Sequence, residues 1–294
     1  MSRPVPPHPA GREGSLSIRQ ILHDAQRTLH TVSSYPGHDA EVLLRHVLGC
    51  DRAWLLTHGK TELTEPQLRR YEAVLARRLR HEPIQYILGE QEFYGLHLRV
   101  TPAVLIPRPE TEHLVEAVLT RLPHDKPLRI ADVGTGSGAI ALALAHALPL
   151  ARIVALDLSP AALAVAQDNA IGLALDSRIR FLLSDLLTAV WEQQFDCIVA
   201  NPPYVASTEQ LEPQVLDWEP HMALFGGQDG LTIFRDLLPQ ALTHLRPGGL
   251  FATELGAGQQ LPLTELFALA PHWSTPRFVP DLQGIPRVAL AFRS

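Results

Sequence analysis

The sequence is poor in several features that mark specialised classes of protein. Its two cysteines, Cys50 and Cys197, lie far apart and neither belongs to a CxxC pair, which argues against a disulfide framework and a zinc signature. The fourteen histidines show no HExxH or related ligand spacing, so no metal site is expected. No apolar run is long enough to span a bilayer, and residues 1–15 lack the apolar centre of a signal peptide. These absences favour a protein of the reducing cytoplasm without a membrane partner.

A basic excess is also lacking. The chain has 25 Lys and Arg against 31 Asp and Glu, which gives a net charge of −6. Proteins that rely on non-specific phosphate contacts usually carry a basic surplus, so the balance argues against nucleic acid as a partner. Apolar residues make up 46% of the 294 residues and charged residues 19%, a composition typical of a globular protein with a substantial core.

The first part of the chain is predicted to be helical. Residues 1–15 are rich in proline and small polar residues and indicate a disordered tail. Residues 16–82 repeat apolar side chains at helical spacing and predict a small helical domain. Two capping boxes, Ser17 with Gln20 and Thr64 with Gln67, mark helix starts. The last helix carries a cluster that is either a solvated face or a partner-docking surface: Arg69, Arg70, Arg77, Arg78 and Arg80.

The remainder predicts an α/β architecture. Residues 83–108 contain short alternating runs and are interpreted as a β-hairpin linker. Residues 109–294 alternate strand and helix patterns, which predicts a Rossmann-like, mostly parallel doubly wound sheet with helices on both faces. The segment RPGG at 246–249 is predicted to be a turn between the helix before it and the strand LFATEL.

A glycine-rich loop, DVGTGSGA, follows the first strand of this region and opens a helix. It supplies a candidate cofactor-binding loop of five residues, which are Gly134, Thr135, Gly136, Ser137 and Gly138. Glycines allow the backbone to approach a ligand closely. The loop also satisfies the dinucleotide pattern, so a nicotinamide enzyme stays open, but no Tyr-x-x-x-Lys pair follows for hydride transfer. The other candidate ligand is S-adenosylmethionine, with S-adenosylhomocysteine as its product.

Acidic residues end the next two strands. Asp157 lies about 20 residues beyond the loop, where a carboxylate accepts hydrogen bonds from ribose hydroxyls. Asp185, next to Leu186, ends the third strand and is placed to accept from an adenine amine; a helix cap is the simpler interpretation. We therefore assign Asp157, Asp185 and Leu186 to the cofactor site.

The fourth strand ends in an unusual sequence, Asn201-Pro202-Pro203-Tyr204. Carboxyl ends of parallel strands meet at one sheet edge, so Asn201 should lie beside the cofactor and contact both it and a second substrate. The oxygen of the Asn201 side chain and the backbone carbonyl of Pro202 can each accept one hydrogen from a planar NH2 group. Fixed acceptors stabilise such a nitrogen as it becomes cationic. The prolines stiffen the exit from the strand, and the ring of Tyr204 can cover the acceptor plane.

These motifs together carry a family resemblance. The segments QYILGEQEFYG, LIPRPETE, DVGTGSGAIALALA, ANPPY, LFGGQDGL and ELGAGQ closely resemble those of bacterial release factor glutamine methyltransferases. The resemblance implies an enzyme that methylates N5 of the glutamine in the Gly-Gly-Gln loop of class I peptide chain release factors, with S-adenosylmethionine as methyl donor and the helical domain contacting the release factor. It also implies that Glu110 and Thr111 lie near the active site.

Other interpretations remain open at the level of sequence. An amino-methyltransferase acting on an exocyclic nucleobase amine shares the NPPY motif, and a non-enzymatic cofactor-binding module shares the glycine loop. Gln228 sits in a Gly-Gly-Gln tripeptide of the chain itself, which we interpret as a structural turn and not as a self-methylation site. Arg287 follows Pro286 where the family often has a polar or acidic residue, so its role is open.

Overall fold

The computed structural model describes residues 16–294, so the predicted tail at 1–15 lies outside the described residues. One compact unit ends at Leu88 and a second spans Gly89–Ser294. The predicted domain boundaries at residues 82 and 108 stay predictions. Residues 16–88, the described part of the first unit, contain five helices: α1 Ile18–Leu29, α2 Pro36–Leu48, α3 Arg52–Thr57, α4 Glu65–Arg78 and α5 Ile84–Leu88. The last of these is a helix of five residues that the alternating pattern did not indicate.

Both predicted capping boxes are present in the first unit. The Gln20 side chain accepts a hydrogen bond from the Ser17 backbone amide at 3.0 Å, and Gln67 accepts one from Thr64 at 2.9 Å. These contacts satisfy amides that the first helical turn leaves without intrahelical partners. The apolar faces of the helices meet in a common core that includes Ile18, Leu43 and Tyr71.

The arginine cluster of α4 is largely engaged in contacts within its own unit. Arg78 is buried and donates to Asp39 at 2.8 Å, Arg77 donates to Glu82 and Arg69 pairs with Glu65. The buried Arg78–Asp39 pair is satisfied by further contacts, including the Glu82 backbone carbonyl. Arg78 is therefore part of the unit's interior and not of a solvated face.

The second unit is an α/β domain preceded by a hairpin. Its strands are β1 Glu90–Phe93, β2 Leu96–Arg99, β3 Arg129–Val133, β4 Arg152–Asp157, β5 Ile179–Leu183, β6 Phe195–Ala200, β7 Leu245–Glu254, β8 Arg277–Pro280 and β9 Pro286–Phe292. Its helices are α6 Pro109–Leu119, α7 Ala139–Ala147, α8 Pro160–Gly172, α9 Pro213–Leu216, α10 Thr232–His244 and α11 Gln260–Ala268. Ser159 caps the start of α8 by accepting from Ala162 N, and Pro160 is the first residue of this helix.

Seven strands form one sheet in the order β5-β4-β3-β6-β7-β9-β8. The pairs from β5 to β7 are parallel, while β9 pairs antiparallel with β7 and with β8. The chain runs outward from β3 through β4 to β5 and then returns to place β6 on the other side of β3. This reversal is the point at which doubly wound sheets open a crevice at their carboxyl ends. The predicted fold class is confirmed.

Two apolar layers cover the two faces of the sheet. Successive residues of a strand point to opposite faces. Ile130 accordingly packs with α6 and α7, whereas its neighbour Ala131 packs with α10 and α11. Burial on both faces explains why β3 and β6 read as continuous apolar runs. Among the described residues, no helix is long and apolar enough to cross a membrane.

The predicted turn at 246–249 is wrong. These residues belong to β7, which begins at Leu245 directly after α10. The register shifts there: Phe195 pairs with Leu245, but Cys197 pairs with Leu250. Gly248 has a φ of +77° and donates to the backbone carbonyl of Arg293, so the glycine forms an irregularity within the strand. Proline and glycine at this position bend a strand and do not end it.

Candidate active site

A cavity opens at the carboxyl edge of the sheet, beside the ends of β3 and β6. Nine of the predicted site residues line it: Gly134, Thr135, Gly136, Ser137, Asp157, Asp185, Leu186, Asn201 and Pro203. Three others do not line it, namely Gly138, Pro202 and Tyr204. The fold therefore brings the glycine loop, both acidic strand ends and the first residue of NPPY to one place. The segment 103–108 and residues near Met222 supply the remaining walls.

The three glycines of the loop have different roles. Gly134, Gly136 and Gly138 all adopt positive φ, at +74°, +55° and +85°. A Cβ added at Gly136 would meet nothing within 4 Å, so its backbone is open to a ligand. A Cβ at Gly138 would lie 3.1 Å from Leu142 and 3.2 Å from Ala166. Gly136 thus faces open space, and Gly138 allows close packing of α7 and α8.

Asp157 is held by backbone amides at the end of β4. Its Oδ2 accepts from Gly136 N and its Oδ1 from Ser159 N, each at 2.8 Å. Each carboxylate oxygen keeps a further lone pair for a ligand. The carboxylate therefore connects the end of β4 to the glycine loop and lines the cavity with a fixed orientation.

Asp185 and Leu186 line the cavity after β5. Leu186 has a φ of +50°, a conformation that a branched side chain rarely adopts and that commonly occurs at functional sites. The Leu186 backbone carbonyl accepts from the Ser184 hydroxyl at 2.9 Å, which holds the unusual turn. The Asp185 backbone carbonyl accepts from Thr188, so a short turn follows the acidic residue.

A buried acid, Asp132, precedes the glycine loop. Its Oδ2 accepts from the Thr135 hydroxyl at 2.7 Å and from Ala141 N at 3.1 Å, while Oδ1 has no hydrogen-bond partner. Burial raises its pKa to about 7, and the two hydrogen bonds oppose that shift. Asp132 does not line the cavity, whereas the open backbone of Gly136 and the carboxylates of Asp157 and Asp185 do, and these groups suit the ribose and adenine of a nucleoside ligand. The chemistry of this edge thus fits S-adenosylmethionine.

The NPPY segment is supported from two sides. The backbones of Gly226 and Gly230 lie so close to Pro203 and Tyr204 that an added Cβ would overlap their carbonyl oxygens. Gln259 donates from Nε2 to the Tyr204 carbonyl at 3.0 Å. The motifs LFGGQDGL and ELGAGQ therefore hold the backbone of NPPY in place.

The Gly-Gly-Gln tripeptide of this chain belongs to that supporting loop. The side chain of Gln228 is exposed, whereas the backbone of Gly226 is buried against Pro203. Gly226 N donates to the Val205 carbonyl at 2.9 Å. The interpretation of this tripeptide as a structural turn agrees with these contacts.

Thr111 lines the cavity, as the resemblance implied, whereas Glu110 does not, and Thr111 belongs to a polar network behind Asn201 in which the sequence analysis assigned no role to Glu254. Asn201 donates from Nδ2 to the Thr111 hydroxyl at 3.1 Å, Thr111 donates to Glu254 Oε2 at 2.6 Å, and Tyr204 donates to Glu254 Oε1 at 3.0 Å. Burial raises the pKa of Glu254, and the hydrogen bonds from Thr111 and Tyr204 act in the opposite direction. The sequence signal that could have indicated Glu254 is its position as an acidic residue at the end of the apolar strand β7, at the same sheet edge as Asn201.

Arg287 has a clear set of partners. Its Nε donates to Asp281 Oδ2 at 3.0 Å, and its backbone carbonyl accepts from Leu255 N. Burial raises the pKa of Glu254, and the positive charge of Arg287 opposes part of this rise. Arg287 is thus part of the surroundings of the Glu254 network, and Pro286 before it begins β9.

A third buried acid, Glu219, holds one wall of the cavity. Glu219 accepts from the backbone amide of Ile106 at 3.1 Å and from the Arg108 guanidinium at 2.5 Å. The side chain of Glu219 is 1% exposed and that of Arg108 is 33% exposed. The contact ties the segment PRPET to the loop that follows NPPY, so Arg108 is held at the cavity wall.

The chain also matches known sequence families. Residues 20–89 match the family described as "PrmC N-terminal domain", and residues 111–217 match "Methyltransferase small domain". A methyltransferase structure from Pyrococcus furiosus shares the fold with a TM-score of 0.52 at 21% identity, covering 74% of this chain and 96% of that one. Fold and site together define an S-adenosylmethionine-dependent methyltransferase.

Relatives that align over nearly their whole length show which family of methyltransferases the chain belongs to. The chain is 46% identical over 279 residues to a release factor glutamine methyltransferase of Koribacter versatilis, covering 94% of this chain and 98% of the relative. It is 44% identical over 281 residues to one of Moorella thermoacetica, covering 95% and 99%. The chain belongs to the family of release factor glutamine methyltransferases, as the sequence motifs predicted.

Proposed function

We propose that this protein transfers a methyl group from S-adenosylmethionine to N5 of the glutamine in the Gly-Gly-Gln loop of class I peptide chain release factors, in the cytoplasm. The observation that carries the proposal is the placement of Asn201 at the switch point of the sheet, beside the glycine loop and in the wall of the cavity. Family membership supports the choice of glutamine over an exocyclic nucleobase amine as the acceptor.

The residues of this chain supply binding and orientation at both ends of the site. Gly134–Gly136 offer backbone next to the cavity, and Asp157 and Asp185 offer carboxylate acceptors for ribose and adenine groups. S-adenosylmethionine, when bound, supplies an electrophilic methyl group and a thioether leaving group. Cofactor binding thus depends on the ends of β3, β4 and β5.

The acceptor side depends on NPPY. An amide NH2 is a poor nucleophile because its lone pair is delocalised into the carbonyl. The Asn201 side-chain oxygen and the Pro202 carbonyl each accept one hydrogen of this NH2, which favours the change of the nitrogen from planar to tetrahedral and cationic. Tyr204 does not line the cavity, and its hydroxyl instead anchors the end of NPPY to Glu254, while the two prolines keep both acceptors fixed. Orientation provides much of the remaining acceleration, and the proton leaves the nitrogen after methyl transfer.

The first prediction concerns the acceptor. Incubation with isotopically labelled S-adenosylmethionine and a class I release factor should label the release factor, and mass spectrometry should locate one methyl group on the glutamine of Gly-Gly-Gln. A release factor with that glutamine changed to Ala should stay unlabelled. The variant Gln228→Ala of this enzyme is the matched control and should retain activity, because Gln228 is exposed.

Two outcomes would contradict the proposal. Labelling of the Gln-to-Ala release factor would place the methyl group elsewhere. Labelling of DNA or RNA without labelling of the release factor would support the nucleobase interpretation instead.

A further inference from the structure

A chain of three hydrogen bonds runs from Asn201 into the interior of the domain. It passes through the Thr111 hydroxyl to the Glu254 carboxylate, which also accepts from the Tyr204 hydroxyl. Thr111 is 4% exposed and Glu254 is 2% exposed. These hydrogen bonds join the start of α6, the end of β6 and the end of β7, so the tertiary fold brings the four residues together.

The direction of these hydrogen bonds follows from the number of hydrogens available. A threonine hydroxyl has one hydrogen and two lone pairs, and an ionised carboxylate only accepts. Because the hydrogen of Thr111 is donated to Glu254 at 2.6 Å, the same oxygen can only accept from Asn201. The NH2 group of Asn201 must therefore point to Thr111, and Oδ1 is the end that remains for the acceptor.

We infer that Thr111 and Glu254 are positioning residues for methyl transfer, which fix the amide orientation of Asn201 so that its oxygen faces the substrate. The inference deepens the proposed function and rests on the role proposed there for Asn201. An Asn201 side chain turned by 180° would present its NH2 group to the substrate NH2, and two donors cannot pair. Fixing the amide therefore decides whether Asn201 accepts a hydrogen at all.

A carboxylate is suited to position 254 because two hydroxyl groups donate hydrogen bonds to it, one to each oxygen. Thr111 and Tyr204 donate to different oxygens of Glu254, and in a glutamine an NH2 group replaces one of these oxygens, so one of the two hydroxyls would face a donor. If its NH2 group faced Thr111, the Thr111 hydrogen would turn toward Asn201 and favour the reversed amide. The carboxylate is supported in its buried place by both hydroxyls and by the nearby positive charge of Arg287.

The test is a double-mutant cycle on kcat with a release factor as substrate. The variants are Thr111→Val, Asn201→Ala, the double variant Thr111→Val/Asn201→Ala, Thr111→Ser and Glu254→Gln. Thr120→Val is the matched control. Thr120 directly follows α6, at the end opposite Thr111, and its hydroxyl donates to the Glu116 carbonyl. The dissociation constant of S-adenosylhomocysteine and the melting temperature are measured for each variant.

We expect Asn201→Ala to lower kcat by about 100-fold, as for the loss of one preorganised contact, and Thr111→Val by about 10- to 100-fold. The double variant should be about as slow as Asn201→Ala, because Thr111 acts through Asn201. Thr111→Ser should restore most of kcat, and Glu254→Gln should lower it by about 10-fold or more. S-adenosylhomocysteine should bind all variants within about threefold of the wild type.

Different failures are distinguishable. If Asn201→Ala keeps full kcat, the proposed role of Asn201 is wrong and the positioning inference falls with it. If Asn201→Ala is slow but Thr111→Val and Glu254→Gln are as fast as Thr120→Val, the positioning inference alone is wrong. A double variant much slower than Asn201→Ala would also overturn it, since the residues would then act independently. Should Thr111→Val fail to fold, the isosteric Glu254→Gln decides the question by the same criterion.

Discussion

At the scale of single residues, burial determines how the acids of this site behave. Asp132 and Glu254 are both buried at the ends of strands, and burial raises the pKa of each. Asp157, in contrast, has both carboxylate oxygens occupied by backbone amides at 2.8 Å. The acidic residues at this sheet edge thus differ in how many of their carboxylate oxygens accept a hydrogen bond. Only Asp132 among them has an oxygen without a partner in the described part of the chain.

Asp132 gives a prediction about stability and pH. Its folded-state pKa is raised to about 7, so between roughly pH 4 and 7 the folded protein binds a proton that the unfolded chain releases. The free energy of unfolding should therefore fall as pH rises through this window. Measured by urea denaturation without ligand, the stability of the wild type relative to Asp132→Asn should drop by about 2–3 kcal/mol from pH 5 to pH 8. A difference that stays constant or grows with pH would contradict the assignment.

At the scale of elements, the loop LFGGQDGL acts as a support for NPPY. Gly230 has a φ of +73°, and an added Cβ would overlap the Tyr204 carbonyl and lie 2.7 Å from the Gln259 side chain. The loop must therefore approach NPPY at backbone distance. This requirement explains why glycine occupies positions 226 and 230 of LFGGQDGL.

Gly230→Ala tests this support, with Gly258→Ala as its matched control. Gly258 has a φ of +82° but an added Cβ would meet nothing within 4 Å. The control should cost about 1–2 kcal/mol from backbone strain alone. Gly230→Ala should cost about 1–3 kcal/mol more from the overlap and should also lower kcat. Equal losses of stability in the two variants, measured by denaturant unfolding, would show that the close approach is unimportant.

At the scale of the whole molecule, ligand binding should be visible as stabilisation. A ligand that binds only the folded state at 100 times its dissociation constant adds about 2.7 kcal/mol. For a unit of the size of Gly89–Ser294 this corresponds to a rise in melting temperature of about 5–10 °C. Calorimetry with S-adenosylhomocysteine should show this rise for the wild type and for the exposed control Glu265→Ala, and a much smaller one for Asp157→Ala. An undiminished shift in Asp157→Ala would remove Asp157 from the cofactor site.

Much of the fold was predictable because its signals are local. The capping boxes at Ser17 and Thr64, the cap at Ser159 and the alternation of strand and helix depend on residues a few positions apart. The turn at 246–249 was mispredicted for the converse reason: proline and glycine favour a turn locally, but β7 pairs with β6 on both sides of the segment, at Leu245 and at Leu250, and Gly248 and Gly249 bond to Arg293. Tertiary pairing outweighed local propensity there.

The sequence by itself determined the chemistry of this protein. The glycine loop, the two aspartates and NPPY each follow directly at the end of a predicted strand and carry the groups that the reaction needs. The parallel topology then requires these ends to meet at one edge. Only the tertiary structure decided which side chains stand behind Asn201. Thr111 is 90 residues from Asn201 and 143 from Glu254 along the chain, and no periodicity relates them. Their contact arises because α6, β6 and β7 pack together, and one threonine hydrogen then fixes the orientation of the amide.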